Sequence, residues 1–492
     1  PDNPLLAFVP ADTPYAFASF KPAPTDLMRK MFAMARPMWR RALTAYTAVA
    51  PGDSLERRVA QDVLDAIDKL DVKTFEDHGF SARARFASYG IGAYPVFRIE
   101  LSNGDRVFDL IRRTAERWNQ PLPAPSERSG RRYWIVDAST WGLFVAIGPK
   151  ELVVAGAPRD VIDANLAQLL GEQRPASSMT TAQFRALAER DGFTGQGLGF
   201  VDLTRVAALI TRAAGASPDC AAAAEAIAKR APRLAVGYDD FTLHRMSFGM
   251  VLELAPDVLA SARGLSGALA GVDRLLAQKP AMAMAVAGNL ENGRALLGRV
   301  AGALRELGQR CQRSDLVDGA TEVAAAAGRP LPPFLAGVHG GYMVLQNLKI
   351  GSHGPEAIEG FGTVQLDHAG ELVKFATSQM PNFEVPLDGK AHALPQEIPF
   401  PGHVAANQGT IGVGLGPSSA TTAVRALEGK PVPVPLALFA FDYSRLGELI
   451  LASEHGPDAD NLRDIFKAFG ILTMQLLVDT RGAVAWMSVE MR

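Results

Sequence analysis

Five segments of this chain recur, in the same order, farther along it. A strand led by proline opens each set: Thr13-Pro14-Tyr15-Ala16-Phe17-Ala18 and then Lys279-Pro280-Ala281-Met282-Ala283-Met284. A strand feeding an amphipathic helix follows, residues 97–108 in the first set and 362–373 in the second. A hairpin strand runs into proline at Leu152-Val153-Val154-Ala155-Gly156-Ala157-Pro158 and at Ile411-Gly412-Val413-Gly414-Leu415-Gly416-Pro417. The sharpest pair is Gly199-Phe200-Val201-Asp202-Leu203-Thr204-Arg205 with Phe439-Ala440-Phe441-Asp442-Tyr443-Ser444-Arg445. A closing hairpin, 234–254 and 474–490, completes each set. The distance between copies shrinks as the chain advances and the order never breaks, whereas chance pairings would scatter. The largest step falls between the third and fourth pairs and locates an extra helix in the first set, residues 182–190.

This pattern predicts an α+β protein of two tandem, internally duplicated halves, 1–255 and 279–492, joined by a helix over 256–278. A chain of 492 residues is also too long for one ordinary domain. Ile411, Val413 and Leu415 alternate with glycines, the period-2 signature of a strand with one buried face. Hairpins favour mainly antiparallel sheets with helices packed on one side. Pro256 suits the first turn of the connecting helix. The proline-rich stretches 119–125 and 429–433 read as surface connections.

Composition narrows the function classes. Lys+Arg is 50 and Asp+Glu is 52, a balance unlike the basic excess of a nucleic-acid binder. No run of eighteen apolar residues occurs, so no transmembrane segment is expected in the numbered chain. Cys220 and Cys311 leave two readings open, a disulfide or two reduced thiols, while a metal site built from these two alone would be short of ligands. The chain opens at Pro1, as a chain does after loss of a leader.

The opening Phe8-Val9-Pro10-Ala11-Asp12-Thr13-Pro14 resembles the "LPADTP" start of a bacterial exported family of unknown function, and residues 184–208 resemble it too. The resemblance covers the first half. It implies a periplasmic or outer-membrane-anchored protein, and it carries over no catalytic residue.

Chemistry-bearing motifs are sparse. Eight histidines include no pair with zinc-helix spacing and no H-E-x-x-H, although five lie between 339 and 403. His339-Gly340-Gly341-Tyr342 is similar to an esterase oxyanion loop. The nucleophile elbow it would need is absent, since Gly264-Leu265-Ser266-Gly267-Ala268 fails at its last position. Residues 339–341 therefore read as a turn before a strand. The glycines at 412, 414 and 416 lie within a strand, where they let a helix or another backbone approach, and not in a phosphate-binding turn. Asp202 and Asp442 read as helix caps, and Asp239-Asp240 as part of a hairpin turn. No catalytic residue, no metal and no cofactor is expected.

The segment 27–47 stands out. Met28, Met31, Phe32, Met38 and Trp39 share a helical face, and Arg29, Lys30, Arg36, Arg40 and Arg41 accompany it. Methionine-rich faces adapt to varied partners, and basic amphipathic helices bind membrane surfaces. The competing reading is a core helix kinked near Pro37, with arginines snorkelling at its edge. The resulting expectation is a non-enzymatic cell-envelope protein that binds a protein partner or a hydrophobic or lipid ligand. The alternative is an enzyme with dispersed active-site residues. A polar cleft of converging titratable groups would favour the enzyme, and an apolar groove the binder.

Overall fold

The computed structural model describes residues 2–492 apart from 53, 70, 120–121, 273–279, 336, 352–353, 380–382, 396–397, 399, 452–462 and 464–465. These residues mix helix and antiparallel sheet. The chain forms two compact units, Pro1–Leu209 with Leu234–Met246, and Ile210–Arg233 with Ser247–Arg492.

In the first unit a 3-10 helix, Pro4–Phe8, precedes β1 (Tyr15–Ala18), which leads into α1 (Thr25–Val49), α2 (Leu55–Ile67) and α3 (Val72–Asp77). The hairpin β2 (Phe86–Ile91) and β3 (Tyr94–Glu100) precedes α4 (Gly104–Arg117). Then come β4 (Ser126–Arg128), β5 (Arg131–Ala138), β6 (Trp141–Ile147), β7 (Glu151–Pro158) and β8 (Leu198–Asp202). These strands pair in the order β4-β5-β6-β7-β3-β2-β1-β8. The helix expected over 182–190 is Thr181–Asp191, closed by a capping box from Thr180 and Gln183. Ser54, Asp71 and Asn103 cap α2, α3 and α4, each accepting a bond from a first-turn N–H. Between β1 and β8 the backbones close tightly. A Cβ on Gly199 would lie 2.3 Å from the carbonyl oxygen of Ala16.

Strands β9 (Arg233–Phe241) and β10 (Arg245–Leu252) follow. Asp239 and Asp240 therefore end a strand, and the turn falls at 242–244 instead. Their region keeps β pairing because the hairpin closes at Thr242, whose N–H donates to the carbonyl of Arg245.

In the second unit the strands are β11 (Gly267–Ala270), β12 (Met282–Ala287), β13 (Val338–Gly351), β14 (Gly354–Leu366), β15 (His392–Ala393), β16 (Gly402–Ala406), β17 (Thr410–Leu415), β18 (Pro431–Val434), β19 (Ala437–Asp442), β20 (Phe469–Val478) and β21 (Ala483–Met491). The main order is β15-β16-β17-β14-β13-β12-β19-β20-β21. Its core joins Ala283, Ala285, Tyr342, Val344, Leu438 and Ala440.

Three local expectations need correction here. The connecting helix runs only from Pro256 to Arg263, after which Gly267–Ala270 is a strand; 273–279 lie outside the described residues. The stretch 429–433 is not a plain connection, because Pro431–Val434 pairs with β11 in a two-stranded sheet. Proline is tolerated there because an edge strand need not donate every N–H. His339-Gly340-Gly341 is not a turn before the strand. These residues lie inside β13, at a register shift between Val338 and Gly340. Gly340 has φ +139°, and a Cβ there would meet the Val286 carbonyl oxygen at 2.1 Å. The two glycines thus serve a bulge and close strand contact.

The glycine-bearing strand β17 does admit a helix. A Cβ on Gly412 would lie 2.4 Å from the Ala423 carbonyl oxygen, and one on Gly414 would lie 2.2 Å from that of Ser419. Both carbonyls belong to the helix Ser419–Arg425. We expect Gly414→Val to destabilise the protein by about 1–3 kcal/mol through overpacking. Gly156→Ala, where an added Cβ meets nothing within 4 Å, should change stability by less than about 1 kcal/mol. Urea midpoints of the two variants test this; equal midpoints would rule the contact out as a constraint.

Asp202 and Asp442 each accept hydrogen bonds at the start of the helix that follows them. Asp202 Oδ1 accepts from the Arg205 N–H at 3.0 Å. Asp442 Oδ1 accepts from the N–H groups of Ser444 and Arg445, and its Oδ2 accepts from Arg492 at 2.9 Å. Burial opposes the Asp442 charge, but the Ser444 hydroxyl, these N–H groups and the Arg492 guanidinium outweigh it and hold the carboxyl below its ordinary range.

Candidate functional site

Helices α1, α2 and α4, with His78 at the end of α3, shape an apolar groove of about 760 Å³, within the usual range for small-molecule sites. α1 contributes Trp39, Ala42 and Leu43 to it. α2 contributes Val63, Ala66 and Ile67, whose i, i+3, i+4 spacing puts them on one face. Leu110 and Thr114 come from α4, and Trp118 from its C-cap. The polar groups sit among these walls in small number: Asp62, His78 and Arg117. Asp62 accepts from the Trp118 indole N–H at 2.7 Å and lies 3.6 Å from the Arg117 guanidinium. The carboxylate thus fixes the indole at the groove wall.

The predicted face on α1 divides along its length. Met28, Met31 and Phe32 are half-buried, and the Phe32 ring lies 6.3 Å from Phe75 of α3. Met38 and Trp39 are exposed, at 54% and 44%. Of the five, Trp39 lines the groove. Pro37 lies inside a helix that continues to Val49. Sequence reasoning did not select the α2 and α4 residues. Their apolar spacing marks helix faces, but nothing in it shows that these faces leave a space between them.

The second unit presents a different apolar feature. Strand register places Met343, Met284, Phe439, Met474 and Met487 side by side across β13, β12, β19, β20 and β21. Met343, Phe439, Met474 and Met487 are each more than a third exposed. A second cavity in this unit, about 540 Å³, is mixed in character, with Tyr342 and Phe361 beside Glu359 and Arg425.

The titratable groups lining the cavities are Asp62, His78 and Arg117 in the first and Glu359 and Arg425 in the second. His403 Nδ1 lies 2.9 Å from the Ser419 hydroxyl, but Ser419 is 3% exposed beneath the helix it begins. A nucleophile so enclosed offers no room for a substrate carbonyl. His339 and Asp367 pair at 2.8 Å on an exposed surface, as do His392 and Asp388 at 3.0 Å in a half-exposed turn. The latter contact, with the Lys390 N–H, holds the Asp388 carboxyl below its ordinary range. Among the described residues no group of three His, Cys, Asp or Glu side chains could hold a metal, and His353 and His455 lie outside them.

Cys220 and Cys311 are joined by a disulfide. Cys220 begins the helix Pro218–Ala228, with its N–H donating to Ser217, and Cys311 caps the helix Leu290–Arg310. The two helices lie in the same compact unit although the cysteines are 91 residues apart.

No known family and no curated protein matches the sequence. Among solved structures the chain is similar to TP0453 in crystal form I, at 10% identity and a TM-score of 0.26, over 52% of this chain and 79% of that one. Crystal form IV gives 11% identity and 0.27, over 54% and 86%. Scores this low carry no argument. The groove and its chemistry stand on their own residues.

Proposed function

We propose that this protein is a non-enzymatic binding protein of the bacterial cell envelope whose ligand is hydrophobic, an acyl chain held in the groove between α1, α2 and α4. The observation that carries this reading is the groove itself, walled by aromatic and aliphatic side chains with few polar groups. The disulfide supports an oxidising compartment, periplasmic or outer-membrane-anchored, as does the exported-family resemblance of the opening. No helix among the described residues is long and apolar enough to cross a membrane.

Trp39 and Trp118 line the groove, so a brominated fatty acid should quench the fluorescence of the intact protein. Filling the groove with Ala66→Phe and Thr114→Phe together should weaken binding roughly tenfold or more, about 1.4 kcal/mol. Absence of quenching, or quenching indifferent to these substitutions, would sink the reading.

We also infer that the two units arose by duplication. Supporting this, β6-β7-β3-β2-β1-β8 in one unit runs in the same chain sense as β16-β17-β14-β13-β12-β19 in the other. Each ends on the strand that carries its capping aspartate, Asp202 or Asp442.

A further inference from the structure

The outer half of α1 has a composition and an exposure that the groove does not explain. From Met38 to Val49 every residue is exposed except Leu43 and Thr47. At 100° per residue Met38, Ala42, Tyr46 and Val49 fall within one arc of the helix, with Trp39 at its margin. Val49 is 82% exposed and Tyr46 46%. Large apolar side chains so placed, in a continuous stripe, are more than scattered surface residues. Arg40 and Arg41 lie outside this arc. The whole helix carries five Lys and Arg residues against one acidic residue, Asp26 in its first turn. Arg40 bonds Asp68, whereas Arg41 makes no ion pair among the described residues.

We propose that this half of α1 docks on an anionic lipid bilayer, lying in the plane of the interface. An apolar stripe takes the acyl boundary, tyrosine and tryptophan suit the headgroup level, and the flanking guanidiniums meet lipid phosphates. Charge complementarity selects this occupant. A neutral partner surface would leave Arg41 unanswered, and a second copy would set Arg41 against its like. Trp39 and Ala42 belong to both the groove wall and the helix's exposed half. The docked helix would therefore open the groove directly onto the membrane, so that an acyl chain passes between them without crossing water. That transfer role rests on the groove reading; docking does not.

The test is flotation of the full chain with vesicles of equal parts phosphatidylglycerol and phosphatidylcholine, and with phosphatidylcholine alone. Binding should favour the anionic vesicles by roughly tenfold or more and fall with added salt. Tyr46→Glu with Val49→Glu, neither of which lines the groove, should reduce flotation at least about tenfold while fatty-acid quenching in the absence of vesicles stays as in the unaltered protein. Arg41→Glu should remove much of the preference for anionic vesicles, about five- to tenfold. The groove-filling pair Ala66→Phe and Thr114→Phe should still float. Retained quenching shows that a variant is folded. No flotation, equal flotation on both vesicles, or a concentration-dependent dimer abolished by Val49→Glu would overturn the docking proposal and leave the groove reading to its own test.

Discussion

Glu151→Gln should destabilise the first unit by about 3–5 kcal/mol, because it leaves two buried or half-buried guanidiniums facing no carboxylate. Arg98 is 0% exposed in the middle of β3. Its Nη1 donates to Glu151 at 2.7 Å, its Nε to the Tyr89 hydroxyl at 3.1 Å, and its Nη2 to the carbonyls of Gln168 and Leu169 at 2.9 Å each. Its guanidinium carbon also lies 4.3 Å from the centre of the Phe8 ring. Arg131 holds the other Glu151 oxygen at 2.6 Å. Burial works against the charge on Arg98, but Tyr89 and Glu151 outweigh it and keep the guanidinium protonated, while burial pushes the Tyr89 phenol up.

One side chain thus ties strands β2, β3 and β7 to the segment at 168–169. Arg98→Lys should recover little, since an ammonium cannot reproduce this planar fork of donors. Replacing both partners, Arg98→Met with Glu151→Leu, should cost less than the sum of the single changes, because no uncompensated charge remains. Urea denaturation followed at several wavelengths measures the unaltered protein and each variant, the single changes Arg98→Met and Glu151→Leu included. A loss below about 1 kcal/mol for Glu151→Gln would show that water reaches this cluster and solvates the remaining charges.

The second large effect is expected from the disulfide. Reduction, or the pair Cys220→Ala and Cys311→Ala, should lower the stability of the second unit by about 2–4 kcal/mol. The bond closes a loop of 91 intervening steps, and in the chain-entropy view such a loop restricts the unfolded ensemble strongly. Cys220 is itself buried, so its alanine replacement adds a small loss of packing. Denaturation with and without reductant gives the difference. Hydrogen exchange should locate it in the helices Pro218–Ala228 and Leu290–Arg310, and fatty-acid binding in the first unit should persist. Identical midpoints in both conditions would mean that the unfolded chain gains nothing from release of the bridge.

Much of the element order was legible in the sequence. Alternation marked β3, β7, β8, β17, β19 and the closing hairpins, and proline or aspartate marked the junctions where helices begin. Asp202 and Asp442 were readable as caps because a carboxylate beside free helix N–H groups has a local role that needs no distant partner. His339-Gly340-Gly341 misled because a glycine pair signals a turn and a bulge equally well. The difference lies in which strand runs alongside. Likewise Pro431 and Pro433 suggested a connection, and their pairing with β11 depends on residues more than 150 positions earlier.

Arg98 gives the clearest case of a signal that was present and insufficient. Its place between Val96 and Glu100 puts it on the inward face of β3, yet a buried arginine is intelligible only once Glu151, Tyr89 and two carbonyls are brought around it. The chain by itself determined the periodicities, the helix ends, the basic apolar character of α1 and the two cysteines available for pairing. Those are properties of neighbours within a few residues. Tertiary structure alone decided the groove, the joining of Cys220 to Cys311 and the row from Met343 to Met487. Period 2 or 3.6 fixes which face a side chain occupies, whereas the neighbours across that face, and whether anything covers it, follow from strand order and helix packing.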